Sequence, residues 1–314
     1  MEKVVVIAGP TASGKTRLGI ELAREFNGEI VSADSMQIYR RMDIGTAKAS
    51  AEEQRQAPHH MLNVAEPWED YSVSRYVDDA AACCEDILSR GKLPIIVGGT
   101  GLYIDSLLSG RDFAARGEGD ESLREQLNAE YDKIGGDAML SKLRAFDPER
   151  ADKLHPSDKR RIVRAIEIFT LTGVTATEHD RRTQALPPRY DAARIVLNYA
   201  DRMALYSRID SRVDEMAAAG LFEEVAGLLR EGVPPDCTAM QAIGYKEAAA
   251  ALRGDCSRQE AIDAIKQNSR RYSKRQMTWF RRWEGALRIN WEALPDFARA
   301  RRLSTEFLHS RGIL

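Results

Sequence analysis

Lys3-Val4-Val5-Val6-Ile7-Ala8-Gly9-Pro10-Thr11-Ala12-Ser13-Gly14-Lys15-Thr16 is the stretch whose reading decides the fold. The apolar run ending at Ala8 reads as a buried strand, and the eight residues from Gly9 match G-x-x-x-x-G-K-[ST]. Leu18, Leu22 and Phe26 then recur at helical spacing. Strand, small-residue turn and helix in that order point successive backbone N–H groups into one concavity at a helix N-terminus, which favours an anion. Lys15 adds a point charge for phosphate oxygens, and the Thr16 hydroxyl is of the type that ligates Mg²⁺. The loop predicts a diphosphate or triphosphate ligand, without specifying ATP.

Outward from the loop, residues 29–33 and 93–97 read as buried strands and residues 60–64 as a short one. Residues 72–89 read as a long helix begun by a Ser72 cap. Strands separated by helical patterns predict an α/β fold, a P-loop NTPase-like doubly wound parallel sheet. Residues 111–190 break the alternation. They hold helical segments at 121–131, 138–145 and 158–172, the last capped by Ser157, and no strand pattern. Polar glycine- and proline-bearing stretches at 116–120 and 186–190 flank them. A helical insertion domain at 111–190 is expected inside a core made of 1–110 and 191–314. Residues 193–199 restore a strand, helices continue to about Trp283, and 286–290 form a last strand.

The 314 residues are 43% apolar and 30% charged, an ordinary globular balance. No run approaches the ~18 apolar residues of a membrane span, and the segment after Lys3 is too short for a secretory signal. Cys83 and Cys84 are adjacent, Cys237 and Cys256 stand apart, and none forms a C-x-x-C pair. Zinc and disulfide readings are therefore poor, and a cytoplasmic setting is expected. His59 and His60 lack a third ligand in pattern and read as structural. The net charge of −2 argues against a nucleic-acid partner, but its distribution does not. Residues 266–283 carry seven cations and no acid, with Lys266, Arg270 and Lys274 at i, i+4, i+8 and Arg275 beside them. Tyr272, Phe280 and Trp283 share another face, expected to be core. Arg160, Arg161 and Arg164 fall within about one turn, so they either face one phosphate track or form a solvated face.

Two features narrow the phosphate chemistry. The strand 93–97 ends in Gly98-Gly99-Thr100-Gly101 rather than in the Mg²⁺-holding Asp of a motor ATPase. No Asn-Lys-x-Asp base reader of a GTPase occurs; the nearest string is Asn198-Tyr199-Ala200-Asp201. In a doubly wound sheet ligands bind beyond the carboxyl ends of the strands. There the second strand delivers Asp34, Ser35, Met36 and Gln37, and the fourth delivers Thr100. Asp34 also suits a turn-capping role, and Thr100 a helix cap.

The strings GPTASGKT (from Gly9), SADSMQIYRRMDIGTAK (from Ser32), APHHMLNV (from Ala57) and VGGTGLY (from Val97) are joined by HPSDKRRIVRAIEI (from His155), QAIGYKE (from Gln241) and RRYSKRQMTWFR (from Arg270). Together and in order over residues 4–283 they resemble bacterial tRNA dimethylallyltransferases, also called isopentenyl-tRNA transferases. The resemblance implies Mg²⁺-dependent transfer of the dimethylallyl group of dimethylallyl diphosphate to N6 of the adenine 3′ of the anticodon. It further implies that Asp34 accepts the amine proton and that Thr100 hydrogen-bonds near the bridging oxygen or the amine. Ser35, Met36 and Gln37 would hold the adenine and its neighbours, and Arg208, one turn before Arg212, would reach the diphosphate. Arg160, Arg161, Arg164, Lys274 and Arg275 would contact the tRNA anticodon stem-loop, which the insertion helps to grip. No protein partner and no membrane are implied. A P-loop small-molecule kinase, a nucleotide-dependent RNA-binding switch and a prenyltransferase acting on free AMP are the competing readings.

Overall fold

The computed structural model of the chain describes residues 1–110 and 121–314, so the expected linker at 116–120 and the expected start of the insertion at 111 lie outside the described residues. The strands are β1 (Lys3–Ala8), β2 (Gly28–Ser32), β3 (His59–His60), β4 (Leu93–Gly98), β5 (Asp191–Tyr199) and β6 (Leu287–Trp291). They make one parallel sheet in the order β3-β2-β4-β1-β5-β6. β1 is apolar on both faces after Lys3, as a central parallel strand must be. Its register sets Ala8 beside Gly98 on one side and Val196 on the other, so the strand ends that bear the motifs are level.

Between the first four strands run α1 (Lys15–Glu25), α2 (Ala51–Gln56) and α3 (Val73–Ser89), and α4 (Gly101–Leu108) follows β4. The crossovers from β1 to β2 and from β3 to β4 run in opposite directions along the sheet, so the right-handed rule sends α1 and α3 to opposite faces. Ser72 caps α3 as expected, accepting from the Arg75 N–H. The α2 helix was not expected, although Ser50 and Glu53 spell its capping box. The third strand is only two residues long, and the chain beyond it bends, with Met61 and Asn63 at positive φ.

The described residues divide into two compact units, 1–108 with 190–314, and Ser109–Arg189. The second holds α5 (Glu121–Ile134), α6 (Gly136–Arg144), α7 (Pro148–Ala151), α8 (Lys159–Thr172) and α9 (Ala176–Gln184) around Leu127, Met139, Leu143, Ile162 and Ile166. Buried Asp147 caps α7 and also accepts from the amide and hydroxyl of Thr177. The expected Ser157 cap of α8 is corrected. Asp158 occupies that position and turns its carboxylate back to the His155 N–H, while the Ser157 hydroxyl meets the His155 ring at 2.8 Å.

The first unit continues with α10 (Arg202–Ala218), α11 (Leu221–Arg230), α12 (Tyr245–Arg253), α13 (Arg258–Phe280) and α14 (Phe297–Ser310). Asp201 caps α10 by accepting from Met203 and Ala204, which is the role of the string that resembled a base reader. The α14 helix lies beyond the family-like strings and was not expected. Ala300 and Leu308 bury it with α1 and α10 on one sheet face, in a core with Ile7, Leu18, Ile195 and Trp291. No helix among the described residues is long and apolar enough to cross a membrane.

A buried acid stitches one end of this sheet. Glu29 of β2 accepts from Arg90 on both oxygens (2.5 and 2.8 Å), from Lys92 (2.7 Å) and meets the His60 ring at 2.7 Å. Hydrogen bonds from Arg90 foremost hold its carboxyl well below the usual carboxylate range. Glu29→Gln is expected to lower stability by about 1–3 kcal/mol at neutral pH. Because the folded pKa is depressed, this stabilisation is complete above the ordinary Glu value near 4.5 and is lost as pH falls below it. Urea melts should therefore show a gap between the two proteins at pH 7 that narrows at pH 3. A pH-independent gap would mean that packing, not charge, holds Glu29.

Candidate active site

The phosphate loop is shaped from outside. Gly14 has φ +86°, and a side chain there would also strike the Phe297 ring at 2.7 Å. The Trp291 indole donates to the Ser13 carbonyl (2.9 Å), and the Thr11 N–H donates to the Gln276 side-chain oxygen (3.0 Å). The other end of Gln276 donates to the Gly99 carbonyl (3.0 Å), so one buried amide ties the loop after β1 to the loop after β4. A Cβ on Gly99 would stand 2.2 Å from that amide nitrogen, which explains a glycine there.

A cavity of about 1520 Å³ opens beyond the strand ends, lined by the loop from Thr11 to Thr16, by Asp34, Ser35, Met36 and Gln37, by residues 43–49, and by faces of α10 and α13. Lys15 donates to the Pro10 carbonyl (2.8 Å) at its floor. Burial pulls the Lys15 ammonium down to about 7, the Arg212 guanidinium pushes the same way, and Asp34 opposes both. Burial and then Arg208 lower Arg212 as well, with Asp34 again opposing. Lys15 and Arg212 thus crowd together with Asp34 as an acid that both feel, an arrangement that a diphosphate would stabilise. Arg208 lines the cavity but is exposed and paired with Glu215 at 3.3 Å. Arg212, one turn further on, is the arginine that Lys15 feels; its i, i+4 spacing from Arg208 was the available signal.

Asp34 and Thr100 arrive from neighbouring strands. The Asp34 Oδ1 accepts from the Met36 N–H (3.0 Å), a turn-capping bond, and no hydrogen bond reaches Oδ2 among the described residues. Thr100 donates its N–H to the Ala33 carbonyl (3.1 Å), and its hydroxyl accepts from the Ser35 N–H (3.1 Å). That hydroxyl therefore fixes the turn holding Asp34. The expectation for Tyr272 is corrected. Phe280 and Trp283 are buried as expected, but Tyr272 is half-buried in the cavity wall, facing the side chains of Thr100 and Gln276. Burial and then Asp34 push its phenol up to about 12. It shares that wall with Arg275 and Gln276, at i+3 and i+4 on the same helix.

The basic stretches divide. Arg160 and Arg161 are exposed on α8, Arg161 standing 3.9 Å from Asp158. Arg164 instead pairs at 2.8 Å with Glu167, a fully buried acid that it shares with Arg124. On α13, Lys266 pairs with Asp214 (2.7 Å) and Arg270 with Asp210 (2.5 Å), bracing α10. Lys274 is exposed with no ion pair among the described residues, and Arg275 lies over the Tyr272 ring and lines the cavity. Among the described residues no group of three His, Cys, Asp or Glu side chains could hold a metal. Mg²⁺ is commonly bound by one or two protein oxygens with phosphate and water completing the shell, and the Thr16 hydroxyl on the cavity wall fits that donor set.

A family model described as IPP transferase matches residues 37–283, and one described as isopentenyl transferase matches residues 2–63. The chain belongs to the IPP transferase family. Relatives named tRNA dimethylallyltransferase include one from Thermoanaerobacter sp., 46% identical over 94% of this chain and 93% of that protein, and one from Geobacillus thermodenitrificans, 48% identical over 94% and 91%. The crystal structure of a tRNA isopentenylpyrophosphate transferase from Bacillus halodurans is similar at 39% identity and a TM-score of 0.72, covering 99% of this chain and 98% of that one. A eukaryotic dimethylallyltransferase acting on tRNA is similar at 31% identity and a TM-score of 0.84, covering 99% and 80%. In this IPP transferase family member, β6 and α14 lie beyond the 37–283 match, yet Trp291 and Phe297 shape the phosphate loop.

Proposed function

We propose that the chain transfers a dimethylallyl group from dimethylallyl diphosphate to N6 of the adenine 3′ of the anticodon in tRNA, with Mg²⁺. The observation that carries this is the Asp34 carboxylate set in one cavity with the phosphate-loop lysine. A leaving diphosphate and an amine losing a proton need those two groups within one substrate's reach. The names of the relatives support tRNA as the acceptor.

The allylic C–O bond breaks while an N6–carbon bond forms. Charge builds on the departing diphosphate, where Lys15, the loop amides from Ala12 to Thr16 and an arginine of α10 stabilise it. Mg²⁺ held by Thr16 would supply further charge neutralisation on the same oxygens. The N6 proton passes to Asp34, which the Thr100–Ser35 bond holds in place. Ser35, Met36 and Gln37 form the wall that meets the base.

Incubation with tRNA and dimethylallyl diphosphate, followed by nuclease digestion, should yield N6-dimethylallyladenosine. EDTA should abolish the product and ATP should not be consumed. Stoichiometric ADP would favour a kinase, and equal modification of free AMP would favour a nucleotide prenyltransferase.

The exposed cations give a second expectation. Replacing Arg160 with Arg161, or Lys274 with Arg275, by alanine should weaken tRNA binding and reduce the slope of log K against log salt by roughly 0.7–0.9 per lost phosphate contact. Replacing Lys266 and Arg270 should instead lower stability and leave that slope alone. Unchanged slopes in all three would make the first two pairs merely solvated.

A further inference from the structure

The string from Gln241 to Glu247 and the acid Glu224 have no part in the chemistry above, yet they join behind residues 43–45 of the cavity wall. The Glu224 carboxylate of α11 accepts from three consecutive backbone amides, Asp43 (2.9 Å), Ile44 (2.8 Å) and Gly45 (3.2 Å). The Tyr245 hydroxyl donates to it as well, at 2.5 Å. Successive N–H groups around an anion form a nest, here filled by the protein's own carboxylate. The nest sets the following turn, where Ala47 sits at φ +47°, a conformation that an alanine keeps only when its neighbours hold it. That turn aims the Thr46 and Ala47 carbonyls at the side chain of Gln37, 3.2 and 3.3 Å from Nε2.

Two carbonyls at one end of an amide can be met only by its NH₂, so the partners fix which end of Gln37 is nitrogen. The Ser32 hydroxyl donates to Oε1 at 3.2 Å. The amide hydrogens are taken, and the capacity left on this cavity-lining side chain is acceptor capacity on Oε1. We propose that Glu224 is a positioning residue that, through the 43–47 turn, locks Gln37 as an acceptor and so selects a nucleobase with an amine at purine C6 or pyrimidine C4. Adenine N6 and cytosine N4 offer that donor, whereas hypoxanthine, guanine and uracil present a carbonyl oxygen at the equivalent edge. This rests on the tRNA-prenylating reading above.

The test uses the full-length protein and anticodon stem-loops in which each loop adenine in turn is replaced by hypoxanthine. Competition binding is the readout, since it does not need a reactive amine. The unmodified protein should bind the adenine form roughly 10-fold or more tighter at one position. Glu224→Gln, which places an NH₂ against the nest amides, should reduce that preference to within about 3-fold, while dimethylallyl diphosphate affinity stays within about 2-fold. Tyr245→Phe removes one of the four bonds and should give an intermediate preference, and it decides the matter if Glu224→Gln does not fold. Full preference in the soluble variants, or none at any position in the unmodified protein, overturns the inference. A protein that prenylates tRNA but shows either result overturns this inference alone, whereas absence of prenylated adenosine falls on the reaction assignment.

Discussion

Asp34→Asn is expected to slow single-turnover prenyl transfer by roughly 10²–10⁴, the usual worth of a positioned proton acceptor. An adenine amine is almost non-acidic before reaction, so no side chain deprotonates it in advance. As N6 bonds to the allylic carbon it becomes cationic and strongly acidic, and an adjacent carboxylate then takes the proton. Asparagine is a clean probe because its Oδ1 can still accept from the Met36 N–H, so the turn survives. It can hydrogen-bond the amine but cannot accept its proton. Affinity for tRNA and for dimethylallyl diphosphate should change little. Thr100→Ala should cost less, since it removes the acceptor of the Ser35 N–H and no charge. Single-turnover rates of Asp34→Asn within a few-fold of the unmodified protein, with both substrates still bound, would show that the proton goes elsewhere.

Lys15→Met is expected to reduce turnover by roughly 10²–10³, the scale measured when one preorganised stabiliser of developing charge is removed. Methionine keeps the length and apolar stem, so the loss reports the charge. The ammonium is held in a desolvated floor beside Arg212, where a charge interacts more strongly than it would in water. Diphosphate affinity should fall with turnover, while tRNA affinity alone should not. Lys15→Arg should fail to restore activity, because a planar guanidinium does not reproduce a compact point charge bonded to the Pro10 carbonyl. Full rescue by arginine, or unchanged kcat in Lys15→Met, would remove Lys15 from the chemistry.

Gly9 to Thr16, with the apolar strand before it and the helical spacing after it, was enough to specify a parallel α/β sheet and the strand–loop–helix turn at its edge. Those are local properties: strand and helix periods, turn chemistry and a helix N-terminus are written in adjacent residues. Asp34 and Thr100 were legible for a related reason, because residues just past parallel strands converge at one edge of the sheet. Charges on α13 were legible only as a stripe. A helix sequence shows which side chains share a face, but not that α10 sets Asp210 and Asp214 against two of them. Tyr272 failed for the same reason: its spacing fitted a core face, and only the placement of α13 beside α4 and the loop after β4 set it against Thr100. The Glu224 nest joins residues some 180 positions apart through backbone amides, which carry no side-chain signature in the sequence. The sequence by itself therefore determined the sheet, the phosphate loop and the residues at its edge. Only the tertiary structure decided which cations are braced internally, that Tyr272 lines the cavity and which way the Gln37 amide points, because those depend on partners brought together by folding.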